Sequence, residues 1–115
     1  MELKEFIKGH TILDSNLISI NIDNANNELK VIFMFKMKNG LTVKFTFKDV
    51  IEYNFYFSDK NTFYIVTDYI LDRIDDSTFY VSLDPYNPLN GISNEDLDYV
   101  KSKHLSIEIL NDSIN

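Results

Sequence analysis

The stretch LKVIFMFKMKNGLTVKFTFKDVIEYNFYF, residues 29–57, decides how this chain folds. Leu29, Val31, Phe33, Phe35 and Met37 alternate with Lys30, Ile32, Met34 and Lys36. Leu41, Val43, Phe45 and Phe47 alternate with Thr42, Lys44, Thr46 and Lys48. Ile51, Tyr53, Phe55 and Phe57 repeat the rhythm against Glu52, Asn54 and Tyr56. Apolar side chains at every second position give each run one face that must be covered. Three such runs joined by short loops read as an antiparallel meander.

Parity fixes the first loop. A two-residue Asn39-Gly40 turn would set Met37 against Thr42 and mismatch the whole ladder, because directly opposed residues share a face. A three-residue loop, Lys38-Asn39-Gly40, instead opposes Met37 to Leu41, Phe35 to Val43, Phe33 to Phe45 and Val31 to Phe47. That is a turn with a bulge, in which Gly40 takes the left-handed conformation. The same test on Lys48-Asp49-Val50 opposes Phe47 to Ile51 and Phe45 to Tyr53, so a third strand is expected to continue the sheet.

Upstream, residues 1–8 fit a short strand or a helical turn. Leu17 to Ile22 reads as a strand, and the polar loop 23–28 lets Ile22 oppose Leu29 and Ile20 oppose Val31. Downstream, Ser58 to Asn61 is a polar turn, and Thr62 to Ile74 fits a strand better than a helix. Thr78 to Leu83 is a cleaner strand, and Asp84 to Gly91, with two prolines and Asn-Gly, is a loop. Ser93-Asn94-Glu95-Asp96 has the form of a helix start, with Leu97 and Val100 as buried contacts and Lys101 and Lys103 near the end. Leu105 to Ile109 alternates again as a last strand, and Asn111 to Asn115 should fray. The expected fold is α+β, mainly β: an antiparallel meander sheet of about six to eight strands with one late helix, in a single domain over residues 1–115. Apolar second-face residues (Ile32, Met34, Tyr56) imply that part of the sheet is covered on both sides.

Composition narrows the function. A hydrophobic content of 44% and an aromatic content of 14% exclude disorder over most of the chain. No run approaches the roughly 18–20 apolar residues of a membrane span, and the mixed-charge start lacks a signal peptide's apolar core. With no cysteine there is no disulfide, thiol catalysis or zinc–thiolate site. A cytoplasmic protein is expected. The net charge of −7 is uneven: residues 1–48 hold seven Lys against five Asp and Glu, and residues 49–115 hold four basic against thirteen acidic residues. An acidic half repels phosphates and steers basic partners in, or serves only to keep a β-rich protein soluble.

The search for chemistry yields little. His10 and Asp14, four apart, would share a face only on a helix, and two distant histidines (His10, His104) make a weak metal site. Asp72-Arg73-Ile74-Asp75-Asp76 lacks the alternation and central glycine of a calcium loop. Paired carboxylates suit glycoside hydrolysis, but the chain has no Trp for sugar stacking. No Gly-x-Ser-x-Gly elbow occurs, and Gly9, Gly40 and Gly91 are scattered singly. Lys30, Lys36, Lys38, Lys44 and Lys48 line one hairpin, an arrangement that more often guards strands against aggregation than binds nucleic acid. No catalytic residue, metal or cofactor is expected.

The order of short motifs resembles a known group. Leu13-Asp14-Ser15 leads into an Ile-rich strand, and Asn27-Glu28-Leu29 leads into the long hairpin. Phe47-Lys48-Asp49-Val50 leaves it, and Ser93-Asn94-Glu95-Asp96 precedes a final strand. This pattern is similar to the small β-rich immunity proteins that bacteria encode beside polymorphic or contact-dependent toxins. Where that family commonly has His beside the first Asp, this chain has Leu13. The resemblance implies a cytosolic, non-enzymatic protein that blocks one toxin, in some cases a basic nuclease, through variable surface residues. Asp68, Tyr69, Asp72, Asp75, Asp76, Tyr80, Asp84, Tyr86, Glu95, Asp96 and Asp98 are the expected contacts, with neither nucleic acid nor membrane as partner. A small-ligand or carbohydrate-binding β-domain and an oligomeric adaptor subunit are the alternatives.

Overall fold

A computed structural model describes residues 1–55 and 64–110. One helix, α1 (Leu3–Gly9), precedes β1 (Asn16–Asp23), β2 (Lys30–Lys36), β3 (Thr42–Asn54), the two-residue β4 (Tyr64–Ile65), β5 (Ile70–Asp75), β6 (Thr78–Asp84) and β7 (Leu97–Leu110). All form one antiparallel sheet in the order β4-β1-β2-β3-β7-β6-β5. The described residues are mainly β, as the alternation implies, with one short α-helix among them.

The β2–β3 hairpin has the register that parity demands: Phe35 opposes Val43, Phe33 opposes Phe45 and Val31 opposes Phe47. The Met37 amide donates to the Leu41 carbonyl at 2.8 Å and the Gly40 amide to the Met37 carbonyl at 2.9 Å. Gly40 stands at φ +92°, the left-handed residue of the bulged turn.

Beyond Phe47 the structure corrects the meander. There is no turn at Lys48-Asp49-Val50; β3 continues to Asn54, with a register irregularity between Val50 and Glu52, and pairs along β7, so Phe47 opposes Leu105 and Phe45 opposes Ile107. Asp49, at φ +51°, makes this continuation workable. Its left-handed backbone moves the core-facing series of β3 from Phe47 to Val50, and β7 makes the matching step from Leu105 to Ser102. Asp and Asn tolerate this conformation better than other side chains. Residues 56 and 57 of the expected third strand, the polar turn 58–61, Thr62 and Phe63 lie outside the described residues, as do Asn111 to Asn115.

The late helix is also corrected. Its local signals are real: the Ser93 amide donates to Asp96 Oδ2 at 3.0 Å, one half of a capping box, and the Glu95 amide donates to Ser93 Oγ at 3.1 Å, an N-cap bond. No helix follows, because Leu97 to Leu110 is a 14-residue strand held between β6 and β3. Val100 is fully buried there while Leu97 is exposed. Long-range pairing overrides a local propensity worth only tenths of a kcal/mol per residue. Among the described residues the α-helix forms at the other end of the chain. In α1, Leu3 and Phe6 are buried, and the Phe6 ring stands edge-on to Phe45 at 5.4 Å.

β1 shares the expected faces but not the expected register. Ile22 opposes Val31 and Ile20 opposes Phe33, because residues 24–29 form a longer connection with Asn26 and Asn27 in left-handed conformations. Ile18 is the extra residue of a bulge between Leu17 and Ser19. In place of one strand over 62–74, the described residues carry β4 and β5, on opposite edges of the sheet.

That placement dictates curvature. The five steps from Ile65 to Ile70 span at most ~18 Å, whereas six strand spacings in a flat sheet would separate the edges by ~29 Å. The sheet therefore coils until its edges approach. The Asp14 amide meets the Val66 carbonyl at 2.7 Å, and the hydroxyls of Thr11 and Tyr69 share a hydrogen bond of 2.8 Å across the gap. Inside the coil lie Phe33, Phe35, Phe45 and Phe47, in edge-to-face contact with one another, together with Ile12, Val66, Val81 and Ile107. β6 is covered on both faces: Val81 and Leu83 join the core, and Tyr80 and Ser82 are buried on the other side.

Candidate interaction surface

Asp96 organises the outer face of β6. Its carboxylate is 3% exposed and accepts three hydrogen bonds, from the Tyr80 hydroxyl at 2.5 Å, the Tyr86 amide at 2.8 Å and the Ser93 amide at 3.0 Å. These bonds tie both ends of the 85–96 loop to one point on the sheet. Within the loop, Asn87 Oδ1 accepts from the Leu89 amide at 3.2 Å, and Gly91 takes φ +81°. Burial pushes the Asp96 carboxyl up, but the bonds from Ser93, Tyr80 and Tyr86 together hold it below the usual aspartate range. Burial first, then the charge-accepting Asp96 beside it, pushes the Tyr80 hydroxyl well above the usual tyrosine range.

The loop so anchored presents apolar side chains to solvent. Tyr86 is 68% exposed, Leu89 95% and Ile92 40%. Beside the loop, Tyr99 stacks on Tyr80 with ring centres 6.0 Å apart and donates its hydroxyl to Glu52 Oε2 at 2.7 Å. Lys101 Nζ lies 3.2 Å from Glu52 Oε1. The Tyr99 hydroxyl and then Lys101 hold the Glu52 carboxyl down, and the same bond to Glu52 raises the Tyr99 hydroxyl. Glu52, Tyr80, Ile92, Ser93, Tyr99 and Lys101 line a shallow groove of about 290 Å³ at the foot of the loop.

The structure divides the residues expected to meet a partner. Asp68, Asp72, Asp75 and Asp76 are exposed along β5 and its flanks, as are Asp84, Tyr86 and Glu95. Asp72 lies directly across from Tyr80 and so shares the face that the 85–96 loop covers. Asp75 accepts from the Ser77 amide at 2.8 Å and the Ser77 hydroxyl at 2.9 Å, which together lower its carboxyl. Tyr80, Asp96 and Asp98 are buried, with Tyr80 at the floor of that groove. Tyr69 is half-buried against the core, with its hydroxyl on Thr11. Burial and then the neighbouring Asp98 raise the Asp84 carboxyl.

Sequence reading missed Leu89, Ile92, Glu52, Tyr99 and Lys101. The available signal for Leu89 was its position: a large apolar residue between Pro88 and Asn90, in a loop, has no periodic neighbour to share burial with. A helix through this stretch, with Lys101 near its end, hides the cross-strand alignment of Tyr99 with Asn54 and of Lys101 with Glu52.

The arrangement offers exposed acceptors and apolar contact area, with its titrating groups tied into structural bonds. His10 and Asp14 line one cleft of about 360 Å³, where His10 stacks on Phe6 at 5.2 Å and Asp14 lies 3.8 Å from Lys38 Nζ. Among the described residues no three His, Asp or Glu side chains group as metal ligands, and no helix is long and apolar enough to cross a membrane. Compared with known protein families, curated proteins and solved structures, the chain matches none.

Proposed function

We propose that this chain is a non-catalytic binding protein, an immunity protein that neutralises a cognate bacterial toxin. The anchored 85–96 loop carries the reading: three hydrogen bonds to one carboxylate hold a loop whose Tyr86, Leu89 and Ile92 side chains face solvent. A loop ordered before binding loses less conformational freedom on docking, and exposed aromatic and aliphatic side chains are the usual anchors of an interface. The exposed carboxylates of Asp68, Asp72, Asp75 and Asp76 would steer a basic partner towards it. The order of sequence motifs supports the toxin-immunity assignment within this wider class.

Co-expression with the toxin domain encoded beside this gene tests the reading. Growth rescue and a stoichiometric complex are expected, with Leu89→Ala and Tyr86→Ala weakening the complex. Asp72→Asn with Asp76→Asn should slow association chiefly at low salt. A complex whose association rate ignores ionic strength, or rescue indifferent to the loop variants, would remove this surface from the interface. Failure to rescue would sink the immunity role itself.

A further inference from the structure

Three strands bring Glu52, Lys101 and Tyr80 into one row on the outer face of the sheet. Lys101 opposes Glu52 between β7 and β3, and opposes Tyr80 between β7 and β6. Two residues back along β7, Tyr99 stacks on Tyr80 with ring centres 6.0 Å apart, which fixes the Tyr99 ring beside the row. Lys101 Nζ stands 5.6 Å from the centre of that ring and 3.2 Å from Glu52 Oε1. The Tyr99 hydroxyl donates to the other carboxylate oxygen at 2.7 Å. An aromatic ring and a carboxylate that converge on one ammonium form a cation site. In this chain the cation is its own Lys101.

That lysine is loosely held. The Lys101 and Glu52 side chains are 32% and 50% exposed, and a solvent-exposed ion pair contributes little, so exchanging it costs little. Arginine fits the site better. Its planar guanidinium stacks on a ring while its fork of donors matches a carboxylate, whereas lysine offers a point charge. The groove holds about 290 Å³, at the small end of ligand sites and enough for one side chain. Ile92 forms part of its wall, and Tyr86 and Leu89 of the same loop are exposed. Apolar surroundings of this kind exclude water around a central arginine contact.

We propose that the groove receives an arginine side chain of a basic protein partner, an assignment that rests on the binding role given above. The incoming guanidinium displaces Lys101 from Glu52 and lies against the Tyr99 ring. Lys101 is the placeholder: it pairs with Glu52 in the free chain and turns to solvent when the partner docks. The charge balance favours such a partner, since residues 49–115 hold four basic against thirteen acidic residues. Exchange has a signature that a purely structural ion pair lacks. Glu52→Gln and Lys101→Gln break the same pair, so a structural role predicts that both act alike. An exchange site predicts opposite signs, because one variant removes the receptor and the other removes the competitor.

Titration of the full chain with the peptide acetyl-Gly-Gly-Arg-Gly-Gly-amide, followed by the NMR shifts of Glu52, Tyr99 and Lys101, tests this. Saturable binding is expected, weaker for the lysine counterpart and lost for the neutral citrulline one. Glu52→Gln weakens arginine binding roughly tenfold, and Lys101→Gln tightens it about threefold. Lys103→Gln, the same charge change on an exposed residue nearby, leaves it unchanged at about 0.15 M salt. The citrulline comparison uses the unaltered chain and so does not depend on how the variants fold. Absent binding, equal binding of the arginine and citrulline peptides, or a shift in the same direction for Glu52→Gln and Lys101→Gln overturns the proposal. Peptide binding without rescue from the adjacent toxin removes the immunity role and leaves the groove's assignment standing. Rescue that survives Glu52→Gln, with no peptide binding, does the reverse.

Discussion

The Tyr80 hydroxyl and the Asp96 carboxylate meet at 2.5 Å beneath the 85–96 loop, sixteen residues apart in sequence and both nearly inaccessible to solvent. Tyr80→Phe keeps the packing and removes the donor, leaving Asp96 with two of its three bonds. A hydrogen bond to a charged group contributes ~1.5–3 kcal/mol, and the variant is expected to lose about that much in urea unfolding. The loss should be accompanied by faster amide exchange at Tyr86 and Ser93. Unchanged exchange there would mean that the loop is held by other contacts.

The same carboxylate makes stability depend on acid. Its folded-state pKa lies below the ordinary value near ~3.9. Its contribution is therefore fully present above that ordinary value and is lost as the pH falls through the lower folded one. Asp96→Asn should flatten this part of the acid-unfolding profile. Asp84 has the opposite sign: its folded pKa is raised, so its charge weakens the fold as the pH rises through that value. Asp84→Asn is expected to be neutral or stabilising at pH 7, read from the thermal midpoint.

Gly40 stands at φ +92° with no atom near the position a Cβ would take. Gly40→Ala therefore meets no clash and carries only the conformational cost, ~1–2 kcal/mol for a left-handed non-glycine residue. Gly40→Asn should recover part of it, because Asn tolerates that region. Equal losses for the two variants in chemical denaturation would point to a steric cause instead.

Asp49 also stands in the left-handed region, at φ +51°, and His104 Nε2 lies 3.2 Å from its Oδ2. Both side chains are more than half exposed, so the ion pair itself contributes little. Asp49→Gly is expected within ~0.5 kcal/mol of the parent, whereas Asp49→Val, β-branched and strained at this φ, should lose ~1–2 kcal/mol. The comparison separates backbone geometry from charge in a single pair of melting curves.

The hairpin was legible because parity is a strict rule: with Phe33, Phe35, Phe45 and Phe47 on one face a two-residue turn is ruled out, and Gly40 at the end of Lys38-Asn39-Gly40 selects the three-residue loop. The same rule failed at Asp49, where a turn and a kinked continuation satisfy it equally and a distant strand decides between them. The helix expected after Asp96 failed for a related reason. Its local capping bonds form, but whether Leu97 to Lys103 coils or extends depends on β3 and β6, which no local signal reveals; from Leu105 to Ile109 the alternation already marks the strand. The acidic character of residues 68–98 was legible, yet its division into exposed and buried members was not. Asp96 and Asp72 are the same residue type; only the tertiary fold makes one a hub of hydrogen bonds and leaves the other in water.

β3 and β7, the two longest strands, pair along most of their length, yet β4, β5 and β6 lie between them in sequence. Closing that interval costs chain entropy before any of the pairing is gained. The β2–β3 hairpin can form early from local contacts, while the centre of the sheet must wait for β7 to arrive. On a ribosome this order leaves Phe45 and Phe47 with their β2 neighbours but without Ile107 and Leu105 on the other side until the last strand emerges. That interval exposes the chain to chaperones and to mispairing, and it predicts single-phase refolding in the slow range of non-local β-proteins rather than in microseconds.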